Sequence, residues 1–475
     1  MDAFDVLVRL AWLAGAATFV IGLMRMNSPA TARNGNLLSA AGMALAIGAT
    51  GVLLLRGEEG ISPADGVAWL LIAGGIAVGG GLGLWMARTV AMTAMPQLVS
   101  LFNAVGGGAA ALIGIDEYIR LVNSPEAAPL TTTVFVVLDI VIGSVTFSGS
   151  LIASGKLMGL SITPSRPVMI PGGQLVTIGL AAIVVVSAGY LFFVEDSLAV
   201  LFVILATSLV FGVTMTLPIG GADMPVVISL LNSFTGTAVA MAGFVIDNVV
   251  LIIAGALVGA SGAILTKLMA DAMNRSVMNI MVGGFGGGEG TVGGGGPEGG
   301  SVRSIGVDDA AIQLAYASSV IIVPGYGLAV AQAQHAVREL ADLLEERGVT
   351  VNYAIHPVAG RMPGHMNVLL AEANVPDPQL REMEDINPEF DRADVALVVG
   401  ANDVTNPAAR RSGNPVSGMP ILDVDHAKSI VVIKRSMGRG YAGIDNELYV
   451  NPKTGMLFAD AKQGLADLVA AVKAV

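Results

Sequence analysis

The chain has 475 residues, of which 54% are hydrophobic, 61 are glycine and only 13% are charged. A soluble globular domain has about 25% charged residues, so a purely soluble protein and a disordered chain are both excluded. The net charge of −12 argues against nucleic acid as a partner. The chain has no cysteine, which excludes disulfides and thiolate-bound metals or clusters.

Charge is concentrated in the C-terminal part of the chain. Residues 1–275 hold 24 of the 62 charged residues, and the shorter segment 276–475 holds 38. The first segment contains nine apolar runs long enough to cross a bilayer as helices, which takes about 20 residues. They lie near 4–24, 37–55, 66–87, 92–115, 131–154, 174–194, 197–217, 224–245 and 248–269. The sequence therefore predicts a polytopic α-helical membrane domain of nine helices over residues 1–275.

Basic residues in the connections predict the orientation of these helices. Connections after odd-numbered helices carry seven Lys or Arg, and those after even-numbered helices carry two. Since Lys and Arg accumulate on the cytoplasmic side, we expect the N-terminus outside and everything after the ninth helix in the cytoplasm. Runs of small residues, such as Gly79–Gly83 and Gly255 with Gly259, are expected at close helix contacts.

Several polar side chains fall within or beside these helices, where burial is costly and often functional. They are Asn103, Asp139, Ser150, Asp223 and Asn232. Each has a structural alternative. Ser150 can bond the carbonyl one turn back, Asp223 can cap the eighth helix, and the two Asn can bond across helices. Asp139 can lie in a salt bridge or a water pocket. All four His lie after residue 330, so no imidazole of this chain can relay protons through the bilayer.

The segment after the membrane helices changes character twice. Residues 276–303 are predicted to be a linker, because 12 of the 18 residues at 283–300 are glycine and cannot repay the entropy of ordering. A glycine-rich phosphate loop is the alternative, although no strand precedes the run. From residue 304 to 475, strand and helix patterns alternate, which predicts a Rossmann-like α/β domain with a doubly wound parallel sheet. Strands are expected at 319–324, 349–356, 395–399, 421–424, 430–434 and 456–458, and helices at 328–347 and 460–472.

The turn after the first predicted strand has a G-x-G-x-x-V form that begins at Gly325. Such glycines permit a tight turn and let backbone amides approach a pyrophosphate. The second strand ends at His356, without the acid that binds an unphosphorylated adenosine ribose. Lys434 and Arg435 follow a later strand and suit a phosphate monoester, with a solvated strand end as the alternative. Together these features favour NADP(H) over NAD(H).

Seven longer motifs occur in fixed order along the chain. They are MTAMPQ at 92–97, GADMPV at 221–226, MNRS at 273–276, VPGYG at 323–327, VAGRMPGH at 358–365, GAND at 400–403 and KRSMGRGY at 434–441. In this order they resemble the beta subunit of proton-translocating NAD(P) transhydrogenases across essentially the whole chain. The resemblance implies nine membrane helices in this subunit and a cytoplasmic NADP(H) domain that binds the dinucleotide in a flipped orientation.

The resemblance also implies which residues surround NADP(H). They are Gly325, Tyr326, Gly327, Val358, Ala359, Gly360, Arg361, Met362, Pro363, Gly400, Ala401, Asn402, Asp403, Val404, Gly418, Met419, Lys434, Arg435, Ser436, Met437, Gly438, Arg439, Gly440, Tyr441, Asp460 and Ala461. Within this set, Lys434 and Arg435 would hold the 2′-phosphate, and the loop through Tyr441 would close over the cofactor. Asp403 would lie near the nicotinamide and couple its redox state to the membrane.

For the membrane segment, the resemblance implies roles in proton coupling. The matching residues are Asp223, Asn232, Ser150 and Arg275, with Asn103 at a position where many members have histidine. Some members carry that histidine on a partner subunit instead, which leaves open that the proton group lies outside this chain. Val404-Thr405 stands where many members read Thr-Val, so the hydroxyl comes one residue later.

The implied activity is hydride transfer between NADH and NADP⁺ coupled to inward proton translocation, without a metal. Because the sequence contains only one dinucleotide domain, NAD(H) is expected on a partner alpha subunit, which also adds membrane helices. A dimer of alpha–beta units in the inner membrane is expected. The alternative function is a channel or secondary transporter gated by a nucleotide-sensing Rossmann domain, although no carbonyl-filter motif is found. An NADPH-dependent quinone reductase would need intramembrane His for haem or Cys for clusters.

Overall fold

The computed structural model describes residues 3–26, 29–57, 64–91, 94–124, 129–160, 162–163, 168, 172–220, 223–273, 276–277, 302–360, 364–414, 416–440 and 442–475. Contacts divide the chain into two compact units, residues 1–219 with 227–264 and residues 220–226 with 265–475. Some of the predicted features lie outside the described residues. They are Arg275, Arg361, Met362, Pro363, Tyr441 and most of the 276–303 linker.

Between residues 3 and 272, the described part of the chain forms nine helices long and apolar enough to cross a membrane. They are α1 (Ala3–Arg25), α2 (Pro29–Arg56), α3 (Gly66–Thr89), α4 (Met95–Val122), α5 (Leu130–Met158), α6 (Gly173–Phe193), α7 (Leu198–Thr216), α8 (Met224–Val245) and α9 (Val249–Ala272). Each predicted span corresponds to one of these helices. The prediction of a polytopic helical membrane segment is therefore confirmed.

Burial distinguishes these helices from one another. In α4, α5 and α8, 44%, 61% and 67% of the most apolar stretch is buried, whereas none of α3 is. Small residues bring neighbouring backbones together: a Cβ added to Gly143 of α5 would meet the Gly107 carbonyl oxygen of α4 at 2.5 Å. Gly255 of α9 likewise approaches Gly236 of α8, as expected. Gly79–Gly83 makes no such contact within the described chain, because none of its atoms lies within 4 Å of a Cβ added there.

Residues 302–475 contain a six-stranded, wholly parallel sheet in the order β3-β2-β1-β4-β5-β6. The strands are β1 (Ser319–Pro324), β2 (Thr350–Ile355), β3 (Leu380–Glu382), β4 (Val395–Val399), β5 (Ser429–Lys434) and β6 (Thr454–Phe458). The helices are α10 (Val307–Ala315), α11 (Tyr326–Val330), α12 (Gln334–Glu346), α13 (His365–Glu372), α14 (Met383–Ile386) and α15 (Ala461–Ala474). The prediction of a Rossmann-like α/β fold is confirmed.

The central strands are buried on both faces because helices cover both sides of a parallel sheet. All five residues of β4 are buried, as are the last five of β1. Their register pairs Val320 with Val395 and Pro324 with Val399. The chain proceeds outward from β1 in one direction and from β4 in the other, so the strand order reverses between them. In this class of sheet, ligands bind at the carboxyl ends of the strands beside that reversal.

Two local predictions in this segment are wrong. The helix expected at 328–347 is two helices, because Gln332 adopts a left-handed conformation with φ of 49° between α11 and α12. The strand expected at 421–424 is absent. Leu422 makes one backbone bond to Val404 and packs in the core, and a 3₁₀ turn begins at Val424. Apolar periodicity marks burial in both places. It reports neither a single left-handed residue between two helices nor whether a neighbouring strand is available for pairing.

Candidate functional site

The predicted nucleotide residues gather at the carboxyl edge of the parallel sheet. Gly325 follows β1, Val358 lies beyond the end of β2, Gly400 follows β4, Arg435 follows β5 and Asp460 lies two residues after β6. The carboxyl ends of parallel strands meet at one edge, so the five segments lie along the crevice that this edge forms in open α/β sheets. Its centre is the reversal of strand order between β1 and β4.

Glycines at the centre of this edge let two loops cross. The amides of Gly325 and Gly327 donate to the carbonyls of Val399 and Gly400, both at 2.9 Å. A Cβ on Gly325 would come within 2.5 Å of the Gly400 oxygen, and Gly400 itself has φ of +71°. These glycines therefore serve the packing of the β1 loop on the β4 loop. Two of the amides expected to face a pyrophosphate are already used within the protein.

The loop after β2 packs against the loop after β1 through two aromatic rings. His365, at the start of α13, is fully buried, and its ring centroid lies 6.3 Å from that of Tyr326. Gly360 has φ of +108°, and a Cβ there would lie 2.5 Å from His365 Nδ1. A residue other than glycine at 360 would therefore be strained and would displace the ring. Val358 is half-buried and Ala359 is buried in the same loop.

His356 holds the β2 loop to the 418–420 segment. Its Nδ1 accepts from the Val358 amide at 3.2 Å, and its Nε2 lies 2.8 Å from the Pro420 carbonyl. A carbonyl only accepts, so the proton is on Nε2 and the ring is neutral. Burial lowers the pKa of His356 to about 4. His356 directly follows β2, at the position where dinucleotide-binding sheets often have an acid. Its neutral ring links two predicted binding segments.

The Gly418–Met419 segment is placed by its own turn as well as by His356. Gly418 has φ of +74°, and its amide donates to the Ala409 carbonyl at 2.8 Å. Met419 packs on a small apolar cluster that includes Ala409 and Val416. The segment therefore belongs to the same edge of the sheet as the predicted site.

The half-buried Asn402 and the buried Tyr449 connect the β4 and β5 loops. The Tyr449 hydroxyl donates to the Ala401 carbonyl at 3.2 Å, so the Asn402 amide nitrogen, 3.0 Å away, must donate to that hydroxyl. In this orientation the Asn402 oxygen accepts from the Gly440 amide at 2.7 Å and from Lys434 Nζ at 3.2 Å. Tyr449 is 2% exposed, and burial raises the pKa of its hydroxyl. The β4 and β5 loops are thereby joined through one amide side chain.

Asp403 makes a second connection between the same two loops. Its Oδ2 accepts from the Ala442 amide at 3.0 Å. The Gly440 backbone lies so close that an added Cβ would be 2.7 Å from the Asp403 carboxyl carbon. Val404 packs against the central core of the sheet. Asp403 therefore acts as a contact point on which the 434–440 loop rests.

The three cationic side chains of this loop differ in whether they have partners within the protein. Lys434 Nζ donates to the Gly438 carbonyl and lies 4.6 Å from the Tyr449 ring centroid. Burial lowers the pKa of Lys434, and the nearby carboxylates of Asp403 and Asp445 oppose that shift. Arg439 pairs with Asp445 at 3.0 Å. Arg435 is exposed and makes no ion pair with any described residue, so its guanidinium is available to an anion.

The remaining predicted residues occupy the rim. Ser436 and Met437 are exposed, and the Ser436 hydroxyl accepts from the Gly438 amide at 3.4 Å. Asp460 caps α15 by accepting from the Lys462 amide at 3.0 Å, and Ala461 is buried behind it. All of the predicted nucleotide residues that the structure describes therefore lie at this edge or in segments bonded to it.

Sequence reasoning missed three residues that organise the crevice. Tyr449 and His356 are described above, and Asn446 donates to the Asn402 carbonyl at 2.9 Å and caps the Glu447–Val450 turn. None of the three belongs to a recognisable binding motif, and each acts on a loop 40 or more residues away in the chain. The one available signal was the position of His356 at the end of a predicted strand.

Polar residues of the membrane helices also converge. Asn103 of α4 is buried, its Nδ2 lies 3.4 Å from the Ile228 carbonyl of α8, and its own carbonyl accepts from Thr235 at 3.3 Å. Asn232 is half-buried and lies between these two contacts, one turn from Ile228. Asn103 thus makes the interhelical contacts of its structural alternative, with backbone and threonine groups as partners rather than the second asparagine.

Ser150 joins the same group from α5. Its carbonyl accepts from the Ser100 hydroxyl of α4 at 2.8 Å, three residues before Asn103. Its own hydroxyl is buried and makes no hydrogen bond to a described residue, whereas Thr146 bonds back to the Ile142 carbonyl at 2.7 Å. The alternative that Ser150 bonds one turn back is therefore wrong. Asp223 is buried and directly precedes α8, as a capping position requires.

One group of metal-ligand types occurs among the described residues. Asp423, Asp425 and His426 lie together at the surface. Arg410 donates to both carboxylates, with 2.7 Å between its Nη1 and Asp425. Burial alone would raise the pKa of the Asp425 carboxyl. The hydrogen bonds and charge of Arg410 outweigh this effect, so the pKa lies below its usual value. The two carboxylates are therefore engaged in an ion-pair network.

Comparison with known proteins supplies a family context for this geometry. A family model described as "NAD(P) transhydrogenase beta subunit" matches residues 8–471. The NAD(P) transhydrogenase subunit beta of Rhodospirillum rubrum is 47% identical over 473 residues, which cover 98% of this chain and 99% of the relative. The same subunit from the ATCC 11170 strain of that organism matches with equal identity and coverage.

Proposed function

The chain belongs to the family of NAD(P) transhydrogenase beta subunits, and on this premise we propose that it binds NADP(H) and couples hydride transfer to proton translocation. The family is one of oxidoreductases that take NADP(H) and NAD(H) as nucleotide substrates. A beta subunit implies an alpha-subunit partner, and nine apolar helices indicate a multi-pass membrane protein.

The crevice at the carboxyl edge of the sheet supports the NADP(H) part of the proposal. Five loops meet there, and the 434–440 loop is bonded to the β4 loop through Asn402 and Asp403. This arrangement is the single observation that carries the proposal, because it brings the 434–440 loop to the β4 loop, beside the strand reversal where sheets of this class bind ligands. The loop through Tyr441 would close over the cofactor.

The charged residues of the loop have distinct proposed roles. Arg435 is exposed and free of ion pairs within the described chain, so it suits the 2′-phosphate that distinguishes NADP(H). Lys434 interacts with the charge of Asp403 and would reach the same phosphate by leaving the Gly438 carbonyl. Asp403 would sit near the nicotinamide, where its carboxylate senses the redox state through the loop that rests on it.

The nucleotides carry out the hydride chemistry, so the protein has to bind them, orient them and exclude water. His356 and Tyr449 contribute to the orientation by holding the loops of the site together. Coupling requires that protonation in the membrane helices changes the relative affinity of the sheet domain for NADP⁺ and NADPH, which is a coupling free energy between two sites. Asp403 is suited to report that change because two loops meet on its carboxylate.

In the membrane helices we assign the proton pathway to the group formed by Asn103, Ser150 and Asn232, with Asp223 and Arg275 as further coupling residues. The first three gather at α4, α5 and α8 through Ser100, Ile228 and Thr235. We assign residues 1–275 to the proton-translocating domain, 276–303 to a linker and 304–475 to the NADP(H) domain.

The partner and its surroundings follow from the same proposal. The alpha subunit would bind NAD(H) and contribute membrane helices, and two alpha–beta units would form a dimer. The N-terminus would lie outside the inner membrane and the nucleotide domain in the cytoplasm. The proposed reaction requires no metal.

Coupled assays on inverted vesicles test this proposal. The chain is co-expressed with an NAD(H)-binding alpha subunit, and NADPH is used to reduce an NAD⁺ analogue. Since NADH-to-NADP⁺ transfer moves protons inward, the reverse reaction is expected to acidify the lumen of inverted vesicles. The chain without its partner should show no transfer. Transfer without acidification would refute the coupling, and comparable transfer by the isolated chain would refute the division of nucleotide sites.

A further inference from the structure

Asp139 is a buried carboxylic acid of α5 that the proposed pathway does not use. It is 0% exposed, and neither of its carboxyl oxygens has a hydrogen-bond partner among the described residues. It lies nine residues after the start of α5, about 14 Å along the helix. A charge at such a depth costs several kcal/mol unless it is paired.

The carboxyl group faces α4 rather than lipid. A Cβ added to Gly114 of α4 would lie 3.2 Å from Asp139 Oδ2 and 2.9 Å from Ile140 Cγ1. Val136 and Ile140, on either side of Asp139 along α5, are fully buried and pack in a cluster with Tyr118 of α4. Gly114 thus provides the space that the carboxyl group occupies.

Among the described residues, the helices that pack around Asp139 offer it no cation. The described residues of α7 and α8 include no ionisable side chain, and α6 has only Tyr190. On α4, Asp116 pairs with Arg120 at 2.9 Å, and both side chains are more than 60% exposed.

The other ionisable groups nearby supply no positive charge. Glu117 of α4 is half-buried three residues after Gly114 and is itself an acid. The Tyr118 hydroxyl donates to the Asp196 carboxylate at 3.5 Å and accepts from the Ser197 amide at 3.1 Å. Lys156, at the far end of α5, donates to the Ile219 carbonyl at 2.8 Å. Because the described part of the chain brings no cation to this carboxyl group, we take the resting form of Asp139 as the neutral, protonated acid.

Asp139 lies on the same face of α5 as Ser150. At 100° per residue, Asp139, Thr146 and Ser150 fall within about 40° of one another. This face packs on α4, where Gly107 meets Thr146 and Ser100 bonds to the Ser150 carbonyl. Asp139 is therefore on the α4–α5 interface that carries the Asn103 and Ser150 group, about 16 Å farther along the helix.

We propose that Asp139 is a proton-binding group of the membrane helices, which releases and regains a proton at the α4–α5 interface during the coupled reaction. The carboxyl O–H bond breaks and re-forms, with water as acceptor and donor. The proposal rests on the proposed proton translocation and adds a titratable group to a chain whose membrane helices contain no histidine. A structural role alone would be served at lower cost by an apolar residue, because neither oxygen holds a described neighbour.

The test uses the complete alpha–beta complex in inverted vesicles. Asp139→Asn keeps the shape of the side chain and cannot titrate, and Asp116→Asn is the matched control at an exposed carboxylate. We expect lumen acidification in Asp139→Asn to fall by about 100-fold while NADP(H) binding stays unchanged. Asp116→Asn should retain both. Asp139→Leu, which suits the apolar surroundings, replaces the Asn variant if that variant fails to assemble.

Infrared difference spectra supply a readout that a structural role would not change. Spectra of the NADP⁺-loaded and NADPH-loaded complex should contain a protonated-carboxyl band that is absent in Asp139→Asn and retained in Asp116→Asn. Acidification at the wild-type rate in Asp139→Asn, or a band that persists in it, would overturn the proposal. A wild-type complex that transfers hydride without acidification would instead refute translocation itself, and the spectra would still decide whether Asp139 changes protonation.

Discussion

Replacement of Gly440 by alanine should separate the 434–440 loop from Asp403. The added Cβ would lie 2.7 Å from the Asp403 carboxyl carbon, closer than non-bonded carbon atoms approach. Either the loop or the β4 loop must move to accommodate it. The contacts at stake are the Gly440 amide to the Asn402 oxygen at 2.7 Å and the Ala442 amide to Asp403 at 3.0 Å.

The size of the effect follows from those bonds. A hydrogen bond to a charged group contributes about 1.5–3 kcal/mol, and the bond from Ala442 to the Asp403 carboxylate is of this kind. If the closed loop is the binding-competent state, its loss raises the apparent Kd for NADP(H) by the same free energy. The expected weakening is about 10- to 150-fold.

Gly438→Ala is the matched control. It lies in the same loop, and its added Cβ meets only the Ser436 hydroxyl at 3.5 Å, an ordinary contact. Alanine lowers the entropy of the unfolded loop equally in both variants, so that contribution cancels. Calorimetry with NADP(H) on residues 302–475, which have their own core and sheet, measures both. Equal affinity in the two variants would refute the argument that the loop must rest on Asp403.

Two further predictions concern the same domain. Lys434→Ala with Arg435→Ala should weaken NADP(H) binding far more than NAD(H) binding, since only NADP(H) has the 2′-phosphate; equal weakening in calorimetry would contradict that assignment. Because burial lowers the pKa of His356 to about 4, against about 6.5 when unfolded, the unfolded chain binds the extra proton between these values. The free energy of unfolding should fall by up to about 3 kcal/mol as pH drops from about 6.5 to 4. Urea denaturation should show that His356→Asn loses this dependence while the exposed His335→Asn retains it.

Much of the fold could be predicted because its determinants are local. Nine apolar runs of sufficient length predicted nine helices, and five of the six strands of the sheet were expected close to their observed bounds. The strand missed was β3, which has three residues and pairs only with β2. So short a run has no periodicity to detect. The break at Gln332 was missed because a single left-handed residue leaves the apolar pattern of a helix unchanged.

The candidate site was predicted as a set of loops, without the contacts that join them. Gly325 and Gly400 were expected at the site for a cofactor, yet their immediate role is to let the β1 and β4 loops cross. The sequence indicates that Asp139 is costly to bury, yet only the packing of Gly114 against it identifies the face that it occupies. Residues such as Tyr449 carry no motif, because their partners lie more than 40 positions away.

The sequence by itself determined the class of the molecule. Hydropathy, glycine spacing and strand-end motifs are properties of short segments, and each is written in consecutive residues. Tertiary structure alone decided that the Asn402 amide joins two loops, that the 434–440 loop rests on Asp403, and that Ser150 and Asp139 lie on the α4–α5 interface. The physical reason is that hydrogen bonds and close contacts depend on distance in space, which the order of residues along the chain does not specify.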